Sequence, residues 1–166
     1  MTAPTPPSAD GEVLITRTFR APRQLVWQAW TDRVHLTRWH APEGCDIHFA
    51  RFDFRVGGSF HSRISNPSFG DCWCLGTYLE IVPPERLVYT MALADAAGHL
   101  IAAGEAGHDP DWPAETTVTL TLAEQADGST LLTLHQSVQE SIARRTGAYP
   151  SWLSMFDRLA EDLANL

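Results

Sequence analysis

Lysine is missing from this chain: all twelve of its cationic side chains are arginine. Schiff-base chemistry through a lysine is thereby excluded, while the arginine-only usage is more simply a product of genomic base composition than of mechanism. Positive charge is scarce altogether, with 12 basic against 20 acidic side chains and a net charge of −8. Neutralising nucleic-acid phosphates or lying on an anionic membrane needs the opposite balance, so neither nucleic acid nor membrane is expected as a partner. Cysteine is limited to Cys45, Cys72 and Cys74, an odd set without a disulfide framework, as expected of buried thiols in a reducing compartment. No apolar run approaches the ~20 residues of a membrane span, and no charged-then-apolar leader is present, so a cytoplasmic location is expected. The zinc spacings HExxH, HxH and His–Cys are absent, as are a GxSxG elbow, a GxGxxG frame and a phosphate-binding loop. No cofactor and no metal are therefore expected, and nucleophilic catalysis finds little support.

What is present suits one domain. With 166 residues the chain can bury roughly 70% of the surface its unfolded form exposes. Residues 1–11, rich in Pro, Ala and Ser without periodicity, are expected to form a mobile tail, and residues 12–166 the domain. In EVLITRTFR, Val13, Ile15 and Phe19 alternate with Thr and Arg, which predicts a strand with one covered face. Pro22 suits a first helical position, and Leu25, Val26, Ala29 and Trp30 recur at helical spacing over 22–31. Thr31 or Asp32 then caps a second short helix carrying Val34, Leu36 and Trp39, which Pro42 and Gly44 stop.

Six further strands are expected at Cys45–Phe54, Ser59–Ser65, Cys72–Val82, Arg86–Leu93, Glu115–Ala123 and Thr130–Ser137, separated by Gly57-Gly58, Asn66-Pro67, Pro83-Pro84 and Asp127-Gly128 turns. Short turns between successive strands predict an antiparallel meander. The stretch Ala94–Pro113 has no clear period, and a loop of that length is often functional. It is a candidate lid or dimer contact, so a homodimer is among the assemblies left open. From Pro150 the apolar stripe Trp152, Phe156, Leu159, Leu163 and Leu166 predicts a closing helix, with Arg158, Glu161 and Asp162 facing water.

RTFRAP at Arg17–Pro22, VWQAWTD at Val26–Asp32, RWHAP at Arg38–Pro42, DFRVGG at Asp53–Gly58, GTYLEIVPPERLVYT at Gly76–Thr90 and WLSMFDRLAEDL at Trp152–Leu163 occur in this order over nearly the whole chain from Glu12. In these the chain resembles the AHSA-type family, homologues of an activator of a heat-shock-protein ATPase, within the START and Bet v 1-like SRPBCC superfamily. The resemblance implies an α+β helix-grip fold: a curved antiparallel sheet of about six or seven strands around a long C-terminal helix, with two short helices after the first strand. It further implies an apolar tunnel between sheet and helix. Members of that superfamily bind lipids or polyketides, cyclise them, sense hormones or assist a chaperone, so fold does not decide task. Where the family often places a bulky residue after the Trp of its RW motif, this chain has His40; facing the cavity, its imidazole adds a proton donor or acceptor to an apolar wall. A long insert around Gly98–Trp112 replaces the family's acidic loop.

The expected function is binding of a small hydrophobic or aromatic molecule in that cavity. The residues expected to bind ligand are Trp30, Trp39, His40, Arg55, His61, Trp73, Trp152 and Phe156, with Trp73 and Trp152 as leading wall residues because indoles offer broad flat contact with one polar handle. Arg55 and Asp53 lie two apart on an expected strand and suit an ion pair or the orienting of a ligand carboxylate. His48 and His61 could meet on adjacent strands, with Cys72 or Cys74 beside them across the next, in a geometry open to a metal; surface or hydrogen-bonded histidines are the simpler reading. Two other functions stand as alternatives: a cyclase or hydrolase using cavity His and Asp as general acid and base, and a chaperone- or partner-binding module, which needs an exposed complementary patch.

Overall fold

Strand β1 (Glu12–Phe19) buries Val13, Ile15 and Phe19 on one face, as alternation requires. The computed structural model describes residues 11–68 and 70–166, so the expected tail, apart from Gly11, lies outside the described residues. After β1, Pro22 ends the extended backbone at φ −61°, ψ 148° and opens helix α1 (Arg23–Thr31), which buries Val26, Trp27, Ala29 and Trp30. Asp32 closes α1 and caps α2 (Arg33–Trp39), its carboxylate accepting from the His35 backbone N–H at 3.0 Å.

Six strands follow: β2 (Asp46–Phe52), β3 (Ser59–Asn66), β4 (Gly70–Val82), β5 (Arg86–Ala94), β6 (Glu115–Glu124) and β7 (Thr130–Gln139). Each matches its sequence expectation to within about two residues. They form one antiparallel sheet in the order β1-β7-β6-β5-β4-β3-β2. The two helices carry the chain from one edge of the sheet to the other, and the meander then returns strand by strand until β7 pairs with β1. Irregularities in register at Phe49/Arg51 and Tyr78/Glu80 add local twist and bend. Gly76 is demanded by packing, since a Cβ there would collide with the Phe60 ring on the neighbouring strand. Asp53 and Arg55 form the expected ion pair (Nε–Oδ2 2.9 Å), but they sit in the β2–β3 turn, not on a strand, because the ladder stops at Phe52.

The C-terminal region departs from expectation in three details. A short helix α3 (Glu140–Thr146) precedes the closing helix, and Gly147 at φ 88° separates the two; β7 runs into α3 without a turn signal, so the sequence pattern does not mark it. Helix α4 (Ala148–Ala164) buries Trp152, Met155, Phe156, Leu159 and Leu163, whereas Leu166 lies beyond the last turn and is exposed. Arg158, expected in water, reaches back to the end of α2. Its guanidinium donates to the carbonyls of Ala41 (2.6 Å), Arg38 (3.0 Å), Pro42 and Cys45 (both 3.3 Å). Helix ends leave orphan carbonyls, and a fork of five donors satisfies several at once.

The apolar stripe of α4 lies on the sheet near β1 and β7. Phe156 meets Phe19 edge-on at 6.2 Å, and the Trp152 indole N–H donates to Gln136 Oε1 on β7 at 2.9 Å. Gln136 passes the bond on to Thr116 Oγ1 at 3.1 Å, so the polar atoms in this part of the core are paired. Among the described residues no helix is long and apolar enough to cross a membrane.

Arg158→Ala should destabilise the protein by ~1–3 kcal/mol in urea unfolding, because it strips several carbonyls of one donor. Arg158→Lys should recover only part of the loss, since an ammonium lacks the planar fork.

Candidate functional site

Strands β2 to β5 present their inner face to the end of the sheet that α1 and α2 close, and a cavity of about 40 Å³ lies between them. Its walls are Ile47 and Phe49 from β2, Phe60, Ser62 and Ile64 from β3, Cys74 and Tyr78 from β4, and Leu87, Tyr89 and Met91 from β5. Trp30, Leu36 and His40 form the roof. The period-2 alternation of each strand brings these residues to one side. No α4 residue lines the space, so the cavity sits between the sheet and the α1–α2 end and not along the gripped helix.

Among the described residues six buried side-chain nitrogen or oxygen atoms lack a hydrogen-bond partner, and three of the six belong to this cavity: Trp30 Nε1, His40 Nδ1 and Tyr89 Oη. A buried polar atom without a partner costs about 1–3 kcal/mol, and such atoms are uncommon in folded proteins. Other buried polar groups nearby are satisfied: Trp39 Nε1 donates to Ala29 O at 3.0 Å, and Trp152 is bound by Gln136.

His40 is held edge-on by three indoles, with ring centroids 5.0 Å from Trp39, 5.8 Å from Trp30 and 5.9 Å from Trp152. One edge of the residue keeps some exposure, but its Nδ1 is fully enclosed. Burial penalises the imidazolium and lowers the pKa to about 4, opposed only by a backbone hydrogen bond. At neutral pH the ring is uncharged, one nitrogen a donor and the other an acceptor. Burial likewise pushes the Tyr89 and Tyr78 phenols well upward, so both keep their protons. With no carboxylate in the lining, the cavity offers neutral hydrogen-bonding groups rather than a matched acid and base.

The residues singled out in the sequence divide into three groups. Trp30 and His40 line the cavity. Trp39, Trp152 and Phe156 stand behind them: Trp152 stacks on Trp30 at 6.3 Å and Phe156 lies 6.3 Å from the same ring. Arg55, His61 and Trp73 are elsewhere. Arg55 is an exposed turn residue. His61 and Trp73 project from the opposite face of the sheet, where Trp73 lies between His61 (4.8 Å) and the Arg63 guanidinium (5.8 Å). Register decides this: Ser62 pairs with Cys74 and faces inward, so the residues flanking each of them face outward. His61 is nevertheless buried, its Nε2 3.0 Å from Asp95 O at the start of the long loop. The suggested meeting of His48 with His61 does not occur, because His48 is opposite Arg63 and exposed, while His61 is opposite Arg51.

Tyr89, Met91, Phe60 and Tyr78 are cavity residues that the sequence reading passed over. The alternation of Leu87, Tyr89, Met91 and Leu93 in β5 carried the signal for part of this set. The register bulge between Tyr78 and Glu80 hid the rest. The 94–113 loop is ordered by its own polar groups and by the sheet. Asp95 Oδ1 accepts from the Ala97 and His99 amides at 3.0 and 2.8 Å, and Ile101 N–H donates to Leu93 O at 3.1 Å.

Comparison with known proteins agrees with this architecture. Residues 20–164 match the model of the family described as activator of Hsp90 ATPase homolog 1-like protein. An X-ray structure of a protein from Chromobacterium violaceum is similar at 27% identity and TM-score 0.73, covering 91% of this chain and 95% of that one. A solution structure from Arthrobacter aurescens, 20% identical, superposes at TM-score 0.77 over 92% of this chain and 86% of its own. The crystal structure of an AHSA1 protein from Silicibacter pomeroyi, 18% identical, gives TM-score 0.72 with 93% and 98% covered. No curated protein matches this chain.

The lowered His40 pKa carries a pH dependence. The unfolded imidazole takes a proton near its ordinary pKa of 6.5 and the folded one only near 4, so the unfolded state binds more protons between the two. Folding stability should therefore fall as pH drops through that window, by on the order of 3 kcal/mol when complete. Urea midpoints of wild type and His40→Gln measured across the window should show a shallower acid loss in the variant.

Proposed function

This chain belongs to the activator of Hsp90 ATPase homolog 1-like family, and on that footing we propose that its β2–β5 cavity binds a small, mainly apolar or aromatic molecule carrying one polar group. The observation behind this reading is that three residues of a mainly aromatic and aliphatic lining, Trp30, His40 and Tyr89, each carry a buried polar atom without a partner. That combination is the usual chemistry of a small-molecule pocket: apolar area for affinity and a few polar atoms for orientation. The cavity of about 40 Å³ has room for a few water molecules at most. A ligand therefore enters by displacing them and moving side chains. Met91, half-buried on β5, is the wall residue best suited to yield, being unbranched and flexible.

Burying ~200 Å² of ring surface at about 25 cal/mol per Å² yields roughly 5 kcal/mol, an affinity near the millimolar range before polar contacts. Selectivity then rests on the hydrogen bonds, each contributing about 1 kcal/mol or more. Neutral His40 and the protonated tyrosines suit an uncharged hydroxyl or carbonyl better than a carboxylate, whose burial would need a cation.

Titrations followed by tryptophan fluorescence should show 2-naphthol binding about 5- to 30-fold more tightly than naphthalene, the range expected for one or two hydrogen bonds. Tyr89→Phe should erase most of that preference while leaving naphthalene binding within about twofold. Equal affinity of both probes in the wild type, or no saturable binding of either, would remove the basis for the proposal.

A further inference from the structure

A second chemical centre lies at the start of β4, beside the cavity. Cys72 and Cys74 are two apart on one strand and share its inner face, with Trp73 turned the other way. Cys74 is buried and reaches the cavity wall; Cys72 is half-exposed. His108 from the long loop brings its Nε2 to 3.8 Å from Cys72 Sγ. That approach is anchored on both sides. The His108 amide donates to Ala103 O at 2.8 Å, and Ala103 packs in a small cluster with Cys74 and Leu93. One and three residues further on, Asp109 and Asp111 grip Arg145 of α3 at 2.9 Å each.

We propose that Cys72, with the His108 imidazole beside it and Cys74 two residues along the same face, is a nucleophilic site that adds to uncharged α,β-unsaturated carbonyl compounds. The titratable groups facing it are Cys74 on its own strand and His108 from the loop. Its cross-strand partner is Ile64, and its cluster neighbours Met91, Ile101, Ala106 and Trp112 carry no charge. The Cys74 S–H hydrogen bond lowers the Cys72 pKa most, burial opposes it, and the His108 charge and hydrogen bond add to the lowering, to about 6. Cys74 moves the other way and keeps its proton as the donor. The apolar surroundings favour an uncharged reagent over an ionic one.

A dithiol redox couple fits the same residues less well. Residues i and i+2 of a strand have Cα atoms roughly 6.4–6.8 Å apart, the outer limit of what a disulfide spans, whereas addition uses one sulfur. In the addition, Cys72 passes its proton to His108 Nε2, and the thiolate pair forms a C–S bond to the β-carbon. The C=C π pair moves toward the carbonyl as an enolate, and the His108 N–H returns the proton to the α-carbon. Nothing is oxidised and no group leaves. Cys72 does not line the cavity, so failure of this proposal leaves the ligand-binding reading standing, and the reverse holds too.

The test uses the whole protein and cyclohex-2-enone, with adducts located by peptide mass mapping and rates followed from about pH 5 to about pH 9, a range that brackets ordinary and lowered thiol pKa values. The rate at Cys72 should have its midpoint near pH 6. At that pH a thiol of such pKa is ionised roughly 150-fold more than a free one, and its weaker intrinsic nucleophilicity takes back a factor of about ten or more. The net expectation is reaction about tenfold faster than N-acetylcysteine at pH 6, shrinking at higher pH. Cys72→Ser should abolish the adduct. His108→Ala, at an exposed position, and Cys74→Ala should each raise the midpoint, and Cys74→Ser should restore part of it because a hydroxyl also donates. A wild-type midpoint near the free-thiol value of about 8.5, a midpoint unmoved by His108→Ala, or labelling distributed over Cys45 and Cys74 would overturn the proposal.

Discussion

The apolar stripe of α4 must be buried against the sheet, and the rest of the molecule is arranged around that requirement. Phe156 and Leu159 have no exposed surface and Trp152 almost none. Removing that much apolar area from water is the main driving force available to a domain of this size. Burial of an indole also brings its N–H into the core, and the chain Trp152–Gln136–Thr116 keeps the polar atom satisfied where water cannot reach. At the other side of α4, Arg158 ties the helix to the end of α2 through backbone carbonyls. The position of the roof helices is thus coupled to that of the gripped helix.

The helix lies over the β1–β7 side, so the inner face of β2 to β5 needs another cover. The short helices α1 and α2 close that end, and Trp30, Trp39 and His40 fill the angle between helix and sheet. Aromatic rings pack here mostly edge-on, the arrangement their quadrupoles prefer. Such packing leaves irregular gaps, and one of them is lined by Trp30, His40 and Tyr89, each of which carries an unpaired polar atom. Polar atoms are expensive to leave unpaired, and sites that break such a rule are where functional constraints are looked for first.

The long loop between β5 and β6 touches both faces of the sheet. Its first turn buries His61 on the outer face through Asp95. Its later part folds toward the inner side, where His108 meets Cys72 and Arg145 holds Asp109 and Asp111. The same segment has no hydrophobic period, because its order comes from Asx-type turns and ion pairs rather than from a buried stripe.

Local pattern by itself determined much of this protein. Period-2 alternation specified seven strands, helical spacing and Pro22 specified α1, Asp32 marked the cap of α2, and the stripe from Trp152 to Leu163 specified α4. These features are properties of neighbouring residues, and the physics that creates them acts over a few positions. His40 was legible as a cavity residue through its departure from the family's usual bulky side chain. Tertiary structure alone decided which face of β3 and β4 turns inward, and so sent Trp73 and His61 outward and Ser62 and Cys74 inward. A one-residue change of register exchanges the two faces, and nothing in a single strand reveals the register its neighbour adopts. The same holds for Arg158, whose carbonyl partners lie more than a hundred residues away in sequence, and for the pairing of Cys72 with His108. These contacts arise only once the sheet has closed around α4, since chain distance carries no information about which side chains the closure brings together.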